Sequence, residues 1–188
     1  MTPRITPGRR SDIGVVNHAA ITVGARVAKV PGLPNLFTTM AKHRSLFRGW
    51  LMFAGRMMPR GKLPRRDTEL VILRTAWLNR CEYELDHHRR IGAQAGLTAD
   101  QIDAAASESL DGWTDRERAI LSAADELHAS HNLTDAAWTE LRRHLSEREA
   151  IEFLLLVGHY EMLATFINTI GIELDHQTHR QRYSKPQG

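Results

Sequence analysis

The fold of this chain is decided by residues 62–104, which read KLPRRDTELVILRTAWLNRCEYELDHHRRIGAQAGLTADQIDA. Pro64 stands where the first turn of a helix tolerates a missing N–H group, and Gly96 stands where a helix commonly ends. Thr98 and Gln101 have the spacing of a capping box, in which two side chains satisfy free backbone N–H groups. The stretch therefore predicts three successive helices, at residues 64–79, 81–95 and 99–107.

The same signals recur outside this stretch. Capping boxes are predicted at Thr114 with Glu117 and at Ser146 with Glu149, and no segment alternates apolar and polar residues long enough to favour a strand. The sequence thus predicts an all-α fold of about eight helices in a single domain. The five remaining helices are predicted at residues 13–29, 35–57, 115–130, 134–144 and 147–170.

The two ends of the chain are predicted to lie outside the helical domain. Residues 1–12 are rich in proline and arginine and predict a flexible N-terminal arm. Residues 176–188 are polar and predict a C-terminal tail that is frayed or held by a partner. The helical domain is accordingly predicted at residues 13–175.

Composition indicates a cytoplasmic protein without membrane contact. The longest apolar run, at residues 151–174, is interrupted by Glu152, His159 and Glu161, so it does not predict a membrane-spanning segment. The N-terminus carries charge but lacks the apolar core of a signal peptide. The single cysteine excludes an intrachain disulfide and fits a reducing compartment.

Charge is distributed unevenly along the chain. Residues 1–68 carry a net charge of +11 and residues 69–175 a net charge of −11, within a total of +3. The basic residues are scattered among apolar stretches, without the dense Lys/Arg block and interleaved aromatic residues that bind nucleic acid. The favoured interpretation is that the two halves face each other, within a subunit or across an oligomer. No nucleic acid partner is expected.

Titratable side chains are concentrated between Asn79 and His88. On a helical wheel Glu84 and His88 fall within about 80° of Cys81, on the apolar stripe that should face inward. One interpretation is purely structural: the cysteine acts as a small hydrophobic residue beside a local Glu–His ion pair. The other is that the three side chains form a functional site, because polar groups buried without partners are costly.

A metal site at these residues is disfavoured. Cysteine, histidine and carboxylate are all zinc ligands. The wheel, however, turns His87 about 100° away from His88, so these two rings cannot converge with Cys81 and Glu84 on one ion without distortion. We expect neither a metal nor a cofactor.

The helix at 147–170 carries a second group of candidates. His159 and Tyr160 are predicted to contact a small-molecule substrate, and Gly158 would let a ligand or another backbone approach closely. The alternative is that His159 is an ordinary buried histidine satisfied by one carbonyl group.

The stretch at 62–104 resembles the carboxymuconolactone decarboxylase superfamily, which includes the AhpD-like alkylhydroperoxidases. The resemblance extends over residues 36–175. The AhpD-like signature is a glutamate on one helix, followed by Cys-x-x-Cys-x-x-x-His at the start of the next. Carried over by position, the glutamate is Glu69, the first cysteine is Cys81 and the histidine is His88. The second cysteine position is occupied by Glu84.

The resemblance implies an AhpD-like helical fold and favours an acid–base enzyme. Carboxymuconolactone decarboxylases act without metal or cofactor on small carboxylated lactones, by proton transfer. His88 would transfer the proton, Glu69 or Glu84 would orient its ring, and Cys81 would line the pocket. Arg74 and Arg80 are candidates for binding an anionic substrate, with the alternative that Arg80 only caps a helix end.

Two other functions remain open. Because Glu84 replaces the cysteine that attacks peroxide, a dithiol peroxidase is excluded, but Cys81 could act as a one-cysteine peroxidase with an external thiol reductant. A non-catalytic binding or assembly module is the third possibility. The resemblance also implies a homo-oligomer, a trimer or a hexamer built from dimers, with a simple dimer as the alternative.

Overall fold

The structure, a computed structural model, describes residues 2–27, 32–58 and 60–175, and within these ranges it contains helices and no strand. The all-α prediction is therefore confirmed. The described helices are α1 (Arg10–Val27), α2 (Asn35–Met40), α3 (Arg44–Met57), α4 (Arg65–Leu78), α5 (Glu82–Gln94), α6 (Ala99–Ala105), α7 (Asp115–Ser130), α8 (Asp135–His144) and α9 (Glu147–Ile170).

The single helix predicted at 35–57 is wrong, because the chain breaks into α2 and α3. The Lys42 N–H group donates to the carbonyl of Thr39 instead of the carbonyl of Thr38. The Thr38 carbonyl is thereby released and accepts a hydrogen bond from the Gly8 N–H group at 3.2 Å. No glycine or proline marks this break, so the sequence offers no signal for it. The other helices begin and end within three residues of their predicted bounds over the described residues.

The predicted helix caps are confirmed. Thr98 with Gln101 and Thr114 with Glu117 form complete capping boxes. The Ser146 hydroxyl accepts from the Glu149 N–H group, while the Glu149 carboxylate accepts from the Ser146 N–H group at 2.8 Å. Two orphan donors at each helix start are satisfied in this way.

The chain divides into two compact units, of which the first combines residues 1–55 with residues 167–188. Its core consists of Ile13, Ile21, Ala41 and Phe47. The two segments are joined where the Asn35 N–H group donates to the Asp175 carboxylate at 2.8 Å. The predicted division into arm, domain and tail stays a prediction. The tail at 176–188 lies outside the described residues.

Helix α1 begins three residues earlier than predicted and is interrupted at Gly14, whose φ of 79° favours glycine. The guanidinium of Arg44 fills the gap by donating to the carbonyl groups of Ser11 and Asp12. Before the helix, the Arg4 N–H group donates to the carbonyl of Ile170 at 2.8 Å. Part of the predicted arm is therefore hydrogen-bonded.

The second unit, residues 56–166, is built around α4. All ten residues from Asp67 to Ala76 are buried, so α4 has no solvent face over nearly three turns. Leu70 and Leu73 pack with Leu97 of the α5–α6 connection and Leu121 of α7. Each such fully buried leucine contributes about 1.5–3 kcal/mol relative to exposure. The helix that carries Glu69 is thus the most constrained element of this unit.

Helix α9 is long and apolar enough to cross a membrane by length and composition alone. However, 56% of its most apolar window is buried inside the structure. Such burial is typical of a core helix in a soluble protein, and the described residues contain no other helix of this kind.

Candidate active site

The site is positioned by the turn between α4 and α5. Helix α4 ends in a Schellman motif, in which the Arg80 N–H group donates to the carbonyl of Trp77 and the Cys81 N–H group donates to the carbonyl of Ala76. Glycine usually occupies the left-handed position of this motif, as Gly96 does at the end of α5. Here the position is held by Arg80, with φ at 51°. The turn places Cys81 directly before the first residue of α5.

One part of the site centres on His88. Its Nδ1 atom lies 2.7 Å from Oε2 of Glu69, a carboxylate that is fully buried on α4. The other carboxylate oxygen, Oε1, lies 2.6 Å from Nη2 of Arg65 as an ion pair. Because the paired carboxylate accepts, Nδ1 carries the proton in this contact. Glu69 thereby fixes both the orientation and the tautomer of the imidazole.

Tyr160 of α9 completes this arrangement. Its hydroxyl oxygen lies 3.2 Å from Nε2 of His88 and 3.2 Å from Sδ of Met58. The two rings meet edge to face, with centroids 5.3 Å apart. Burial raises the pKa of Tyr160 well above its usual value, and the charges of Glu84 and Glu69 act in the same direction. We call the chain of contacts formed by Glu69, His88 and Tyr160 the relay.

Cys81 and Glu84 form the second part, which we call the inner pair. The thiol is fully buried and the glutamate side chain nearly so. Burial raises the pKa of Glu84 to about 8. Burial, and next the adjacent Glu84 charge, raises the pKa of the Cys81 thiol to about 12. At neutral pH the inner pair is therefore a carboxylic acid and a thiol, both uncharged.

The inner pair lacks the connections of the relay. Among the described residues neither carboxyl oxygen of Glu84 has a hydrogen bond of normal geometry, although the Cys81 thiol lies beside it. Buried polar atoms in this condition are uncommon and mark sites of function or bound solvent. The inward orientation deduced from the helical wheel agrees with the burial of Cys81 and Glu84.

The remaining predicted residues fall in three places. His159 is buried with its ring 5.4 Å from that of Tyr160, and burial lowers its pKa to about 4, so it is neutral at physiological pH.

The Arg74 guanidinium binds the Asp125 carboxylate, with Nη2 at 2.7 Å from Oδ2, and donates to the carbonyl of Ser107. Arg80 is exposed at the turn. The structure therefore brings Arg74 and Arg80 into neither the relay nor the inner pair.

One residue at the site, Arg65, was missed from the sequence, and the sequence left the role of a second, Met58, open. Arg65 is the fourth residue before Glu69 on one helix, and that spacing is the signal that could have identified it. Met58 lies in the methionine-rich stretch at 52–58, whose role as pocket lining or subunit contact the sequence leaves open. No spacing rule connects it to Tyr160.

Neither part of the site resembles a metal centre. Within the ranges that the structure covers, no three His, Cys, Asp or Glu side chains are grouped so that they could hold a metal ion. His87 instead packs its ring 4.8 Å from that of Tyr83 on the same helix. The arrangement is suited to holding and moving protons.

Comparison with known families places the site in a known context. Residues 44–126 match the model of the Carboxymuconolactone decarboxylase family. The matched segment contains α4 and α5, and hence every part of the site except Tyr160 and the rest of α9. The resemblance inferred from the motif is therefore confirmed. No curated protein sequence matches the chain.

Solved structures share the fold. A peroxidase-related protein from Ralstonia eutropha with an alkylhydroperoxidase AhpD core is 22% identical, with 94% of this chain and 95% of that chain covered and a TM-score of 0.79. A cysteine-to-alanine variant of the debrominase Bmp8 in complex with 2,3,4-tribromopyrrole is 19% identical, with 97% of both chains covered and a TM-score of 0.79. A putative antioxidant defence protein AhpD from Agrobacterium tumefaciens is 22% identical, with 69% and 90% covered and a TM-score of 0.63. These likenesses establish the AhpD-like fold.

Proposed function

We propose that this chain, whose residues 44–126 match the carboxymuconolactone decarboxylase family, is a cofactor-free acid–base enzyme. It would act as a lyase or isomerase on a small carboxylated or lactone metabolite. The observation that carries the proposal is the contact of His88 Nδ1 with the buried Glu69 carboxylate at 2.7 Å. An imidazole oriented in this way is suited to proton transfer near neutral pH.

The proposed reaction needs no oxidant or reductant. The C–C bond between the substrate ring and its carboxylate breaks and releases carbon dioxide. The electron pair passes into the adjacent unsaturated lactone system, and a proton from the enzyme forms a new C–H bond at the far end of that system. The protein must therefore supply one proton and hold the substrate in place.

Glu84 supplies a second acid in this proposal. Its pKa of about 8 keeps the carboxyl protonated at neutral pH, so that it can donate to a substrate oxygen or carbon. The carboxyl oxygens keep unused hydrogen-bonding capacity because no described residue hydrogen-bonds them with normal geometry. Cys81 contributes shape rather than charge, since its thiol is uncharged at neutral pH.

Arg65 is proposed as the group that receives the substrate carboxylate. Its side chain is 40% exposed while it pairs with Glu69, so it combines a positive charge with access from solvent. A guanidinium presents several donors in a fixed plane and can bind a second carboxylate beside the first. Arg74 is less suited to this role because its guanidinium already binds the Asp125 carboxylate and the Ser107 carbonyl.

A one-cysteine peroxidase with an external thiol reductant is the second candidate. It is favoured by the position of Cys81, which is that of the first cysteine in the AhpD-like motif. The reactive species in such chemistry is the thiolate. With a thiol pKa of about 12, only about one molecule in 10⁵ carries a thiolate at pH 7. The uncharged thiol therefore favours acid–base chemistry over peroxide reduction at this site.

We also propose that the protein is a cytoplasmic homo-oligomer. The outer side of α1 exposes Val15, Val16, Val23 and Val27, each more than half exposed. Contiguous apolar surface of this kind on a soluble protein is typical of a subunit contact. Sedimentation at several protein concentrations tests this, and a single monomeric species would contradict it.

Two measurements on the purified protein separate the candidate functions. The first incubates the protein in D₂O with a panel of small unsaturated lactone carboxylates and follows carbon dioxide loss and deuterium uptake by NMR. The second follows intact mass after addition of an organic hydroperoxide, with Cys81→Ser as control. Lactone turnover with an inert thiol supports the acid–base enzyme. Rapid oxygen addition at Cys81 without lactone turnover would overturn it in favour of the peroxidase.

A further inference from the structure

Both ring nitrogens of His88 are occupied in the structure. Nδ1 contacts the Glu69 carboxylate at 2.7 Å, and Nε2 contacts the Tyr160 hydroxyl at 3.2 Å. A substrate therefore has no vacant nitrogen on this imidazole. Any proton that leaves or reaches His88 on the side away from Glu69 passes to or from Tyr160.

The Tyr160 hydroxyl has one hydrogen and two neighbours. When His88 is neutral with its proton on Nδ1, Nε2 is a bare acceptor, and Tyr160 donates to it. When His88 is protonated, Nε2 carries a hydrogen and donates to the Tyr160 oxygen. The phenol hydrogen must then point elsewhere, and the Met58 thioether sulfur at 3.2 Å is the acceptor in that direction.

Met58 is a poor partner for this hydroxyl. A thioether sulfur is a weak acceptor, whereas a carboxylate or carbonyl oxygen is a strong one. Met58 is also only partly buried, while Tyr160 behind it is almost fully buried. An unbranched methionine side chain moves aside more readily than a branched or aromatic one. The position of Met58 is thus one that an oxygen-bearing ligand could take over.

We propose that Tyr160 is the residue that meets the substrate, and that Met58 holds the place which a substrate carbonyl or carboxylate oxygen occupies during the reaction. This inference rests on the proposed acid–base function and assigns the substrate an oxygen acceptor facing Tyr160. His88 and Glu69 then act behind Tyr160, as the reservoir of the proton.

The proton transfer balances through Tyr160. The Tyr160 O–H bond breaks as its proton bonds to the substrate oxygen that faces it, which is the enolate oxygen that holds the electron pair left by loss of carbon dioxide. The enol so formed then loses this O–H proton as a proton bonds to the far carbon, which gives the C–H bond of the product. The Nε2–H bond of protonated His88 breaks at the same time, and its proton restores the tyrosine hydroxyl. One proton moves from the imidazolium to the substrate, and Tyr160 is neutral before and after.

The test uses three variants of the full chain. Tyr160→Phe removes the hydroxyl and keeps the ring. Met58→Leu removes the sulfur and keeps most of the side-chain volume. Met162→Leu is the matched control, because Met162 is half exposed on the same helix as Tyr160. Side-chain ¹⁵N spectra report the two nitrogens of His88, assigned with His88→Gln. Methyl ¹³C spectra report Met58 and Met162. The probe is a saturated five-membered lactone carboxylate, which lacks the unsaturation needed for turnover.

The expected results are specific to this arrangement. Tyr160→Phe shifts the His88 Nε2 resonance and leaves Nδ1 bound to Glu69. The probe shifts the Met58 methyl resonance in the wild type, shifts Met162 little, and loses affinity at least tenfold in Tyr160→Phe but not in Met58→Leu. An Nε2 resonance unchanged by Tyr160→Phe, or equal probe affinity for the wild type and Tyr160→Phe, would overturn the inference.

Failure of this inference differs from failure of the proposed function. If the wild type and Tyr160→Phe turn over an unsaturated lactone at the same rate, the acid–base function stands and the role of Tyr160 is wrong. If no lactone is turned over, the proposed function fails. In that case the ¹⁵N and ¹³C spectra still decide whether Tyr160 bridges His88 and a ligand that displaces Met58.

Discussion

The relay and the inner pair lie in the same unit but satisfy their polar atoms differently. In the relay each group has a charged or hydrogen-bonding neighbour: Glu69 Oε1 lacks a hydrogen bond of normal geometry but pairs with the Arg65 charge, Glu69 Oε2 contacts His88, and Tyr160 contacts His88. In the inner pair the Glu84 carboxyl has only the Cys81 thiol beside it and no hydrogen bond of normal geometry among the described residues. The relay keeps a buried carboxylate charged by pairing it with a positive side chain. The inner pair avoids buried charge because both of its groups remain protonated.

This difference assigns separate roles to residues that the sequence places in one motif. A paired carboxylate can orient a histidine without being consumed. A buried carboxylic acid that stays protonated at neutral pH can instead donate a proton, which is the role proposed for Glu84. In the proposed function, the replacement of the motif's second cysteine by Glu84 replaces a thiol of the inner pair with a carboxylic acid and leaves the relay intact.

Breaking the relay has the largest expected effect. His88→Gln removes the proton-transfer group while keeping a polar side chain, and we expect kcat/KM to fall about 10³-fold on the lactone that the wild type turns over. Steady-state rates measure this. His87→Gln, on the next position of α5 and outside the relay, is the matched control. A loss of similar size in the control would show that helix distortion, rather than proton transfer, is responsible.

Removing the titratable carboxyl of the inner pair has the next largest effect, and it appears in the pH dependence of stability. The pKa of Glu84 is raised from 4.5 to about 8 in the folded state. The folded protein therefore binds the proton more tightly than the unfolded chain, and stability is lost as pH rises through the folded pKa. Between pH 6.5 and 8.5 the free energy of unfolding should fall by about 2 kcal/mol, and Glu84→Gln should abolish most of this fall.

The pH window for this measurement is set by two other groups. The pKa of His159 is depressed to about 4, so below about pH 6.5 its contribution to stability rises with pH and opposes that of Glu84. The thiol of Cys81 adds a loss of the same sign above its ordinary pKa of 9.0. Denaturant unfolding between these limits isolates Glu84. Glu82→Gln, exposed on the same helix, should keep the wild-type slope, and an unchanged slope in Glu84→Gln would contradict a protonated inner pair.

The turn shared by both regions gives a smaller effect. Arg80 adopts a left-handed conformation that costs a non-glycine residue about 1 kcal/mol, so Arg80→Gly should stabilise the protein by roughly that amount. Thermal unfolding measures it, and Arg89→Gly inside α5 should destabilise instead. Enzyme activity should stay unchanged in Arg80→Gly. A selective rise in KM would restore Arg80 as a substrate-binding residue.

Removing the thiol should have the smallest effect. Cys81→Ala takes one sulfur atom from a fully buried position, and if the thiol only shapes the site, activity should remain within about threefold of the wild type. Comparing the steady-state rate of Cys81→Ala with that of Glu84→Gln separates the contribution of the thiol from that of the carboxyl. A loss larger than that of Glu84→Gln would mean that the sulfur, and not the carboxyl, carries the chemistry.

The helical fold was predictable because its signals are local. The capping boxes at Thr98, Thr114 and Ser146 and the helix end at Gly96 involve residues within a few positions of one another. The break between α2 and α3 was not predictable, because no local residue marks it and the Thr38 carbonyl at the break binds Gly8, thirty residues away. The periodicity of apolar residues does not indicate a contact between residues so far apart in the chain.

Part of the candidate site was likewise predictable from the sequence, and part was not. The inward orientation of Cys81, Glu84 and His88 follows from helical periodicity, and Glu69 follows from the family motif. The link from His88 to Tyr160 and Met58 joins three elements far apart in the chain and could not be inferred from spacing. The ion pair of Arg74 could not be inferred from spacing either, because its carboxylate partner, Asp125, lies 51 positions away.

The first unit is assembled from both ends of the described chain, and this has a consequence for how the protein is made. On the ribosome, residues 56–166 emerge as one continuous segment and can fold while synthesis continues. The Asn35 N–H group, by contrast, can bind the Asp175 carboxylate only after 140 further residues have been added to the chain. The hydrogen bond that joins the two segments of the first unit therefore forms only after the whole of the second unit has been synthesised.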